Sequence, residues 1–449
     1  MTPAARLAAA MELLDEIQAS AKPADQIASL YFKGRRYVGS KDRRAVAETV
    51  WRVLRSKARI DWWLQALEFP ADARARVLAD LALQGGAPTP DLFQGPHSAR
   101  PPSQEERRLL DALRGKSLFH HAMPASVKGE FPAWMEPRLA ALWGEGMAAE
   151  VAAMRDEAPL DLRVNTLKAS RDEALIALKK ERIVATPTAL SPLGLRLAER
   201  VALVQVQAWR DGLIEVQDEG SQLVALLADA RPGMAVADYC AGAGGKTLAL
   251  AAAMANKGRL VACDVAGWRV DKAQARLRRA GVHNVTRRVL EGEGDKWIKR
   301  SAGAFDRVLV DAPCTGTGTW RRNPDAKWQL TETTLTELVG RQGAILDSAA
   351  RLVKPGGRLI YATCSVLAEE NEEQVAGFLA RHGDFVLLAV PELWSDTVGG
   401  TCPVAGPHLR LSPYGHGTDG FFAAVLERRP AAPSATEPAP SIWTERRLC

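Results

Sequence analysis

The segment MAVADYCAGAGGKTLALAAAM, from Met234 to Met254, limits what this chain can fold into more than any other stretch. A short apolar run, Ala235 to Asp238, reads as a buried strand. Gly242, Gly244 and Gly245 follow as a tight turn, and an Ala/Leu stretch then reads as a helix. A strand that turns sharply into a helix leaves backbone N–H groups facing outward, and glycines let a ligand approach them closely. The GKT within the turn invites a phosphate-loop reading, but that motif needs a glycine five positions before Gly245, and Cys240 stands there. A triphosphate site therefore fails on spacing. Downstream, GRLVACDV reads as a strand ending in Asp264, roughly 20 residues beyond the glycine turn, where an acidic side chain can accept both hydroxyl hydrogens of a ribose. The two features together describe a nucleoside site. S-adenosylmethionine, which has a ribose and no pyrophosphate, suits this incomplete dinucleotide fingerprint.

Strand and helix patterns alternate from about Asp218 to Arg428, which predicts a doubly wound, Rossmann-like α/β domain over residues 216–429. A chain of 449 residues exceeds one ordinary domain, and its remainder reads differently. Apolar residues recur at helical spacing in Leu7, Met11, Leu14 and Ile17, and again in Val46, Val50, Val53 and Leu54, predicting an all-α bundle over 1–83. Residues 84–104, rich in Gly, Pro and Ser, read as a linker. Residues 105–215 read as a small α+β insert, with the strand PLDLRVNTL followed by the helix SRDEALIALKKE. The Pro/Ala/Ser-rich segment 430–449 reads as a disordered tail.

No uninterrupted apolar run approaches the roughly 20 residues of a membrane span. The amino terminus carries acidic residues among its apolar ones and reads as an amphipathic helix rather than a signal peptide, so a cytoplasmic monomer is expected. The net charge of +6 fits a polyanionic partner without requiring one. Its distribution is more informative, because KGRRYVGSKDRRAVAETVWRVLRSKAR concentrates Arg35, Arg36, Arg43 and Arg44 among few acids. This is either a phosphate-binding face for RNA or a solvated helix surface.

The six cysteines, Cys240, Cys263, Cys314, Cys364, Cys402 and Cys449, form no CxxC pair and no cluster with histidine. That argues against a structural metal and a disulfide framework. Two of them stand apart. FDRVLVDAP delivers Asp311 and then Cys314, and GGRLIYATCS delivers Cys364, each in a polar turn at a strand end, where a doubly wound sheet faces its ligand. Cys240 and Cys263 read as inert small hydrophobes. Thiols beside a methyl donor suit one reaction in particular. Carbon 5 of cytosine is too weak a nucleophile to take a sulfonium methyl group until a thiolate adds to carbon 6 and makes an enamine. An acid such as Asp311 can support that addition at N3, and a second cysteine can later remove the carbon 5 proton.

DYCAGAGGKT, DAPCTGTGTWRRNPDAKW, LVKPGGRLIYATCS and the EENE that follows resemble the Nop/Sun family of RNA cytosine-5 methyltransferases. The resemblance extends upstream through LRVNTLK and VQDEGSQL and downstream to HGTDGFFAAVL. SKDRRAVAETVWRVLR is similar to the antitermination-factor-like RNA-binding domain of the bacterial ribosomal-RNA members. The resemblance implies that Cys364 is the attacking thiol and that Cys314 assists release. It also implies that Asp311 and Lys246 contact the target base, and that Cys240, Ala241, Gly242, Ala243, Gly244, Gly245, Lys246, Asp264 and Asp311 line the S-adenosylmethionine site. The family usually has proline where Ala243 stands, and the acidic residue expected after the third strand is open among Glu291, Glu293 and Asp295. Ribosomal RNA is the leading substrate, with transfer RNA, DNA attacked through Cys314, or a non-catalytic assembly role as rivals.

Overall fold

The structure, a computed structural model, describes residues 1–85 and 89–430. The predicted tail therefore lies outside the described residues, apart from Pro430.

Helices α1 (Pro3–Gln18), α2 (Ala24–Gly34), α3 (Ser40–Arg55), α4 (Lys57–Ala66) and α5 (Ala73–Leu83) build the amino-terminal bundle. Its core forms as the spacing predicts, with Leu7, Leu14 and Ile17 of α1 packed with Val46, Val50, Val53 and Leu54 of α3. The bundle does not stop at residue 83. Phe93 is buried in the same core, as are Leu109, Leu110 and Leu113 of α6 (Gln104–Leu113) and Met123. Residues 89–104 accordingly form a strap across the bundle, held also by Arg74, which donates to the carbonyl of Arg100 and to Glu106. A single buried aromatic among prolines has no period, so pattern reading passes over such an anchor.

The remainder of the predicted insert divides in two. Phe131, Met135, Leu139, Val151 and Met154 pack against Trp320, Leu335, Val366 and Leu367 of the following domain. Strands β1 (Leu160–Val164), β2 (Ala185–Pro187), β3 (Gly194–Leu197) and β4 (Ile214–Val216) form an antiparallel sheet in the order β2-β3-β1-β4. The helix Arg171–Lys180, started by a capping box between Ser170 and Glu173, buries Ala174 and Leu178 in this sheet's core.

The large sheet contains β5 (Ala235–Asp238), β6 (Arg259–Asp264), β7 (Val285–Val289), β8 (Phe305–Asp311), β9 (Val353–Thr363), β10 (Phe385–Leu388), β11 (Leu409–Leu411) and β12 (Phe421–Arg428). Its order is β10-β12-β9-β8-β5-β6-β7, with β11 paired to β12. The half β7-β6-β5-β8-β9 is parallel, as expected, whereas β10, β11 and β12 pair antiparallel. The strands β11 and β12 pair antiparallel because only a short connection separates them, and a parallel return needs a crossover of a dozen or more residues. Side chains alternate between two buried faces. Val308 and Val310 of β8 and Leu359 and Tyr361 of β9 enter one core, while Leu309, Ile360 and Ala362 enter the other. The order reverses between β5 and β8, and that switch point opens a crevice at the carboxyl ends of the strands.

Candidate active site

Every chemically active residue singled out in the sequence over this sheet follows or ends one of four adjacent parallel strands. Asp264 closes β6, Asp311 closes β8, Cys314 follows β8 and Cys364 follows β9. The glycine turn follows β5, with Gly242 at φ +54° and Gly244 at φ +82°. Those left-handed values suit glycine because it has no Cβ. A Cβ on Gly242 would meet nothing within 4 Å, so the turn leaves open space above it. Asp264 accepts from the Gly242 N–H at 2.9 Å and the Ala266 N–H at 2.8 Å. A carboxylate has about four lone-pair sites, so capacity for ribose hydroxyls remains. Arg276 donates to the Ala243 carbonyl at 2.7 Å, which braces the turn where the related family has proline. Cys240 and Ala241 lead into this turn, and the Ala241 N–H bonds the Cys263 carbonyl at 2.8 Å. Of the three acids left open after β7, Asp295 is committed as a helix cap, accepting from the backbone of Glu291 and Trp297. Glu291 and Glu293 remain for a ligand.

Gly245 begins the helix Gly245–Ala253, whose first turn holds the buried Lys246 and Thr247. The Lys246 ammonium pairs with the Asp311 carboxylate at 2.7 Å. Thr247 donates to Asp238 at 2.6 Å, while the other Asp238 oxygen is buried without a partner among the described residues. Burial pushes the Asp238 carboxyl up to about 7. The open space, the free acceptor capacity at strand ends and an orphaned buried oxygen fit a polar nucleoside ligand.

The sulfurs of Cys314 and Cys364 lie 3.4 Å apart, a thiol–thiol contact rather than a disulfide. The adjoining Cys364 sulfur and then burial push the Cys314 thiol well above its ordinary value, so Cys314 keeps its proton. Burial likewise raises Cys240, and raises Cys263 to about 12, in line with inert thiols.

Sequence reading left out what holds the pair. Glu370, fully buried, accepts from the Thr315 N–H at 2.8 Å, the Thr315 hydroxyl and the Gln342 amide at 2.9 Å. The Gly318 N–H donates to the Cys364 carbonyl at 2.9 Å, and the Gly420 N–H donates to the Gly318 carbonyl at 2.8 Å. One strap thus ties both cysteine turns together. Glu370 belongs to the EENE noted for its resemblance, and a carboxylate inside an otherwise helical pattern carries no sign of its burial.

The descriptions of two family models match this chain: "16S rRNA methyltransferase RsmB/F" over residues 225–427, and a "Methyltr_RsmF/B-like, ferredoxin-like domain" over 131–204. A probable ribosomal RNA small subunit methyltransferase B from Synechocystis is 32% identical over 86% of this chain and 91% of its own length. The chain belongs to the RsmB/F methyltransferase family. The crystal structure of PH0851 covers 95% of this RsmB/F chain and 99% of its own at 28% identity, with a TM-score of 0.78. NSun6 from Pyrococcus horikoshii, solved with SFG, an analogue of S-adenosylmethionine, shares the fold at 21% identity and a TM-score of 0.58, over 67% of this chain and 99% of its own. S-adenosylmethionine is the cofactor of this methyltransferase fold, as the sequence predicts.

The four arginines proposed from the basic run of this RsmB/F protein do not share one environment. Arg35 covers the Tyr31 ring at 3.6 Å, and Arg43 donates to the Val38 carbonyl at 2.8 Å. Arg36 and Arg44 are exposed, with Arg44 paired to Glu48 at 3.0 Å. Of these four, Arg44 lines the large groove between the bundle and the insert.

Proposed function

We propose that this RsmB/F methyltransferase methylates carbon 5 of a cytosine in small-subunit ribosomal RNA, acting as a cytoplasmic monomer, with Cys364 as nucleophile. The 3.4 Å approach of the Cys364 and Cys314 sulfurs, over the same crevice as the Lys246–Asp311 pair, carries the reading.

The Cys364 thiolate bonds carbon 6 of the cytosine, and the electron pair of the 5,6 double bond moves toward N3. Lys246 and Asp311, joined at 2.7 Å, receive that charge as a proton or hydrogen-bond source at N3. S-adenosylmethionine, when bound, supplies the methyl group that the activated carbon 5 takes. Cys314, once its own proton has passed to solvent, removes the carbon 5 proton as a thiolate, and the returning electron pair re-forms the double bond and expels Cys364. The same reading accounts for the high Cys314 pKa in the free protein. Its largest cause is the hydrogen bond with Cys364, which changes once that sulfur is bonded to carbon.

Bisulfite sequencing of ribosomal RNA incubated with protein and S-adenosylmethionine tests the proposal. One cytosine should become resistant to deamination. Methyl incorporation without any resistant cytosine would overturn the carbon 5 assignment.

A further inference from the structure

A groove of about 1160 Å³ runs between the bundle and the insert, larger than the roughly 300–1,000 Å³ of small-molecule sites. Arg44, Arg52 and Arg55 of α3 line one side, Arg155 and Arg200 of the insert the other, and Arg322 of the segment after Cys314 adjoins them. Positions 44, 48, 52 and 55 share a helix face because residues three and four apart are neighbours. Acids are present too. Glu48 pairs with Arg44, and Glu157 with Arg200, both on exposed side chains, while Asp156 and Glu199 also line the groove.

Arg55 and Arg155 differ from these paired arginines. Neither forms an ion pair among the described residues. Arg55 donates to the Arg321 carbonyl at 3.3 Å, and Arg155 to the Lys128 carbonyl at 2.7 Å. Each leaves a buried Nε without a partner, and burial pulls both below the ordinary guanidinium range. Lys327, almost wholly buried, lies beside the same cluster, where the close ion pair is Arg59 with Glu130 at 2.8 Å. Two poorly solvated cations facing a groove favour a bound anion. Phe119 stands in the same groove, 47% exposed, with Arg59 and Arg155 over its ring at 4.5 and 5.0 Å. Arg59 is buried and paired with Glu130, which leaves Arg155 as the cation without an ion pair beside the exposed ring. An exposed aromatic beside such a cation is a combination that single-stranded nucleic-acid sites use.

We infer that this groove holds a single-stranded segment of the substrate RNA, with backbone phosphates on Arg55 and Arg155 and one base stacked on Phe119. Because Arg55 bonds the backbone of Arg321, within the segment that begins with Cys314, the held strand is tied mechanically to the thiol turn. The inference rests on the proposed RNA substrate.

The test is binding of the full-length protein to transcribed small-subunit ribosomal RNA, measured across a salt series. Phe119→Ala, an exposed change with little risk to folding, should weaken binding about tenfold and leave the salt slope unaltered. Arg55→Ala with Arg155→Ala should lower the slope of log K against log salt by about 1.4, at roughly 0.7 per phosphate. Oligouridine should compete, and an RNA duplex of equal length should compete far less. Should the double arginine variant fail to fold, Arg44→Glu with Arg200→Glu at the exposed rim provides the second measure and should weaken binding. Wild-type affinity in Phe119→Ala together with an unchanged slope in whichever arginine variant folds would overturn the groove. An equally competitive duplex would overturn the single-stranded assignment. Failure of the wild-type protein to methylate any RNA would instead sink the proposed function, which this binding series does not measure.

Discussion

Two thiols 3.4 Å apart cannot both be ionised cheaply, and the proposed mechanism has Cys364 attack while Cys314 assists release. That division of labour has separable consequences. Cys364→Ala should abolish methyl transfer to RNA in a radiolabel assay, and near-normal turnover would refute the nucleophile. Cys314→Ala should slow release by roughly 10²–10⁴ and leave protein covalently on RNA, visible as a shifted band on a denaturing gel. Asp238 offers a pH test. Its folded pKa is raised to about 7, so the folded state holds this proton more tightly than the unfolded chain does. The resulting stabilisation is present at acid pH and is lost as pH rises from the ordinary carboxyl range through about 7. Asp238→Asn should flatten part of that decline in melting temperature between pH 4 and 8, while an unaltered pH profile would exclude the buried carboxyl as its source. The cysteines, Asp264 and Asp311 were legible in the sequence because each ends or follows a recognisable strand. Asp238 stood in view and was passed over, since sequence does not show that its second oxygen lacks a partner.

Among the elements, the strand ends place the chemistry and the loops hold it still. Gly318 is the tightest of these joints. A Cβ there would stand 2.1 Å from the Gly420 carbonyl oxygen, a backbone atom with no rotamer to yield. Gly318→Ala should cost about 1–3 kcal/mol by overpacking, read as a lower urea midpoint. It should also reduce methyl transfer, because the Gly318 N–H holds the Cys364 carbonyl. Full activity would show that the strap does not position the nucleophile. Periodicity located β5, β6, β8 and β9 because each is a short apolar run bounded by turns. It did not reveal that β12 returns antiparallel between β9 and β10, since strand direction depends on how far the chain must travel and not on the strand's own residues.

Across the whole molecule, the segment after Cys314 is where the parts meet. Ala24 of the bundle donates its N–H to Asp325 at 2.9 Å, and Lys57 lies 5.2 Å from the Trp328 ring centre. Arg321 pairs with Asp419 at 2.6 Å, and Arg322 bridges Asp419 and Asp218. These buried pairs give RRNPD, VQDEG and HGTDG one shared physical task. Asp419→Ala would leave buried guanidinium groups underpaired and should cost about 3 kcal/mol, measurable as a lower guanidinium chloride midpoint. A midpoint equal to wild type would mean Asp218 alone suffices.

What the sequence determined by itself was local: strand ends bearing Asp264, Asp311, Cys314 and Cys364, a glycine turn at Gly242 and Gly244, and amphipathic faces such as that of α3. Each of these is written in neighbouring residues, where backbone sterics and hydrophobic period act directly. The tertiary structure decided the rest: the distance between two thiols on different strands, the buried Glu370 strap, and a groove whose arginines come from α3, the insert and the segment after Cys314. Such arrangements depend on packing between segments far apart in the chain, and no stretch of sequence contains the distance that packing imposes.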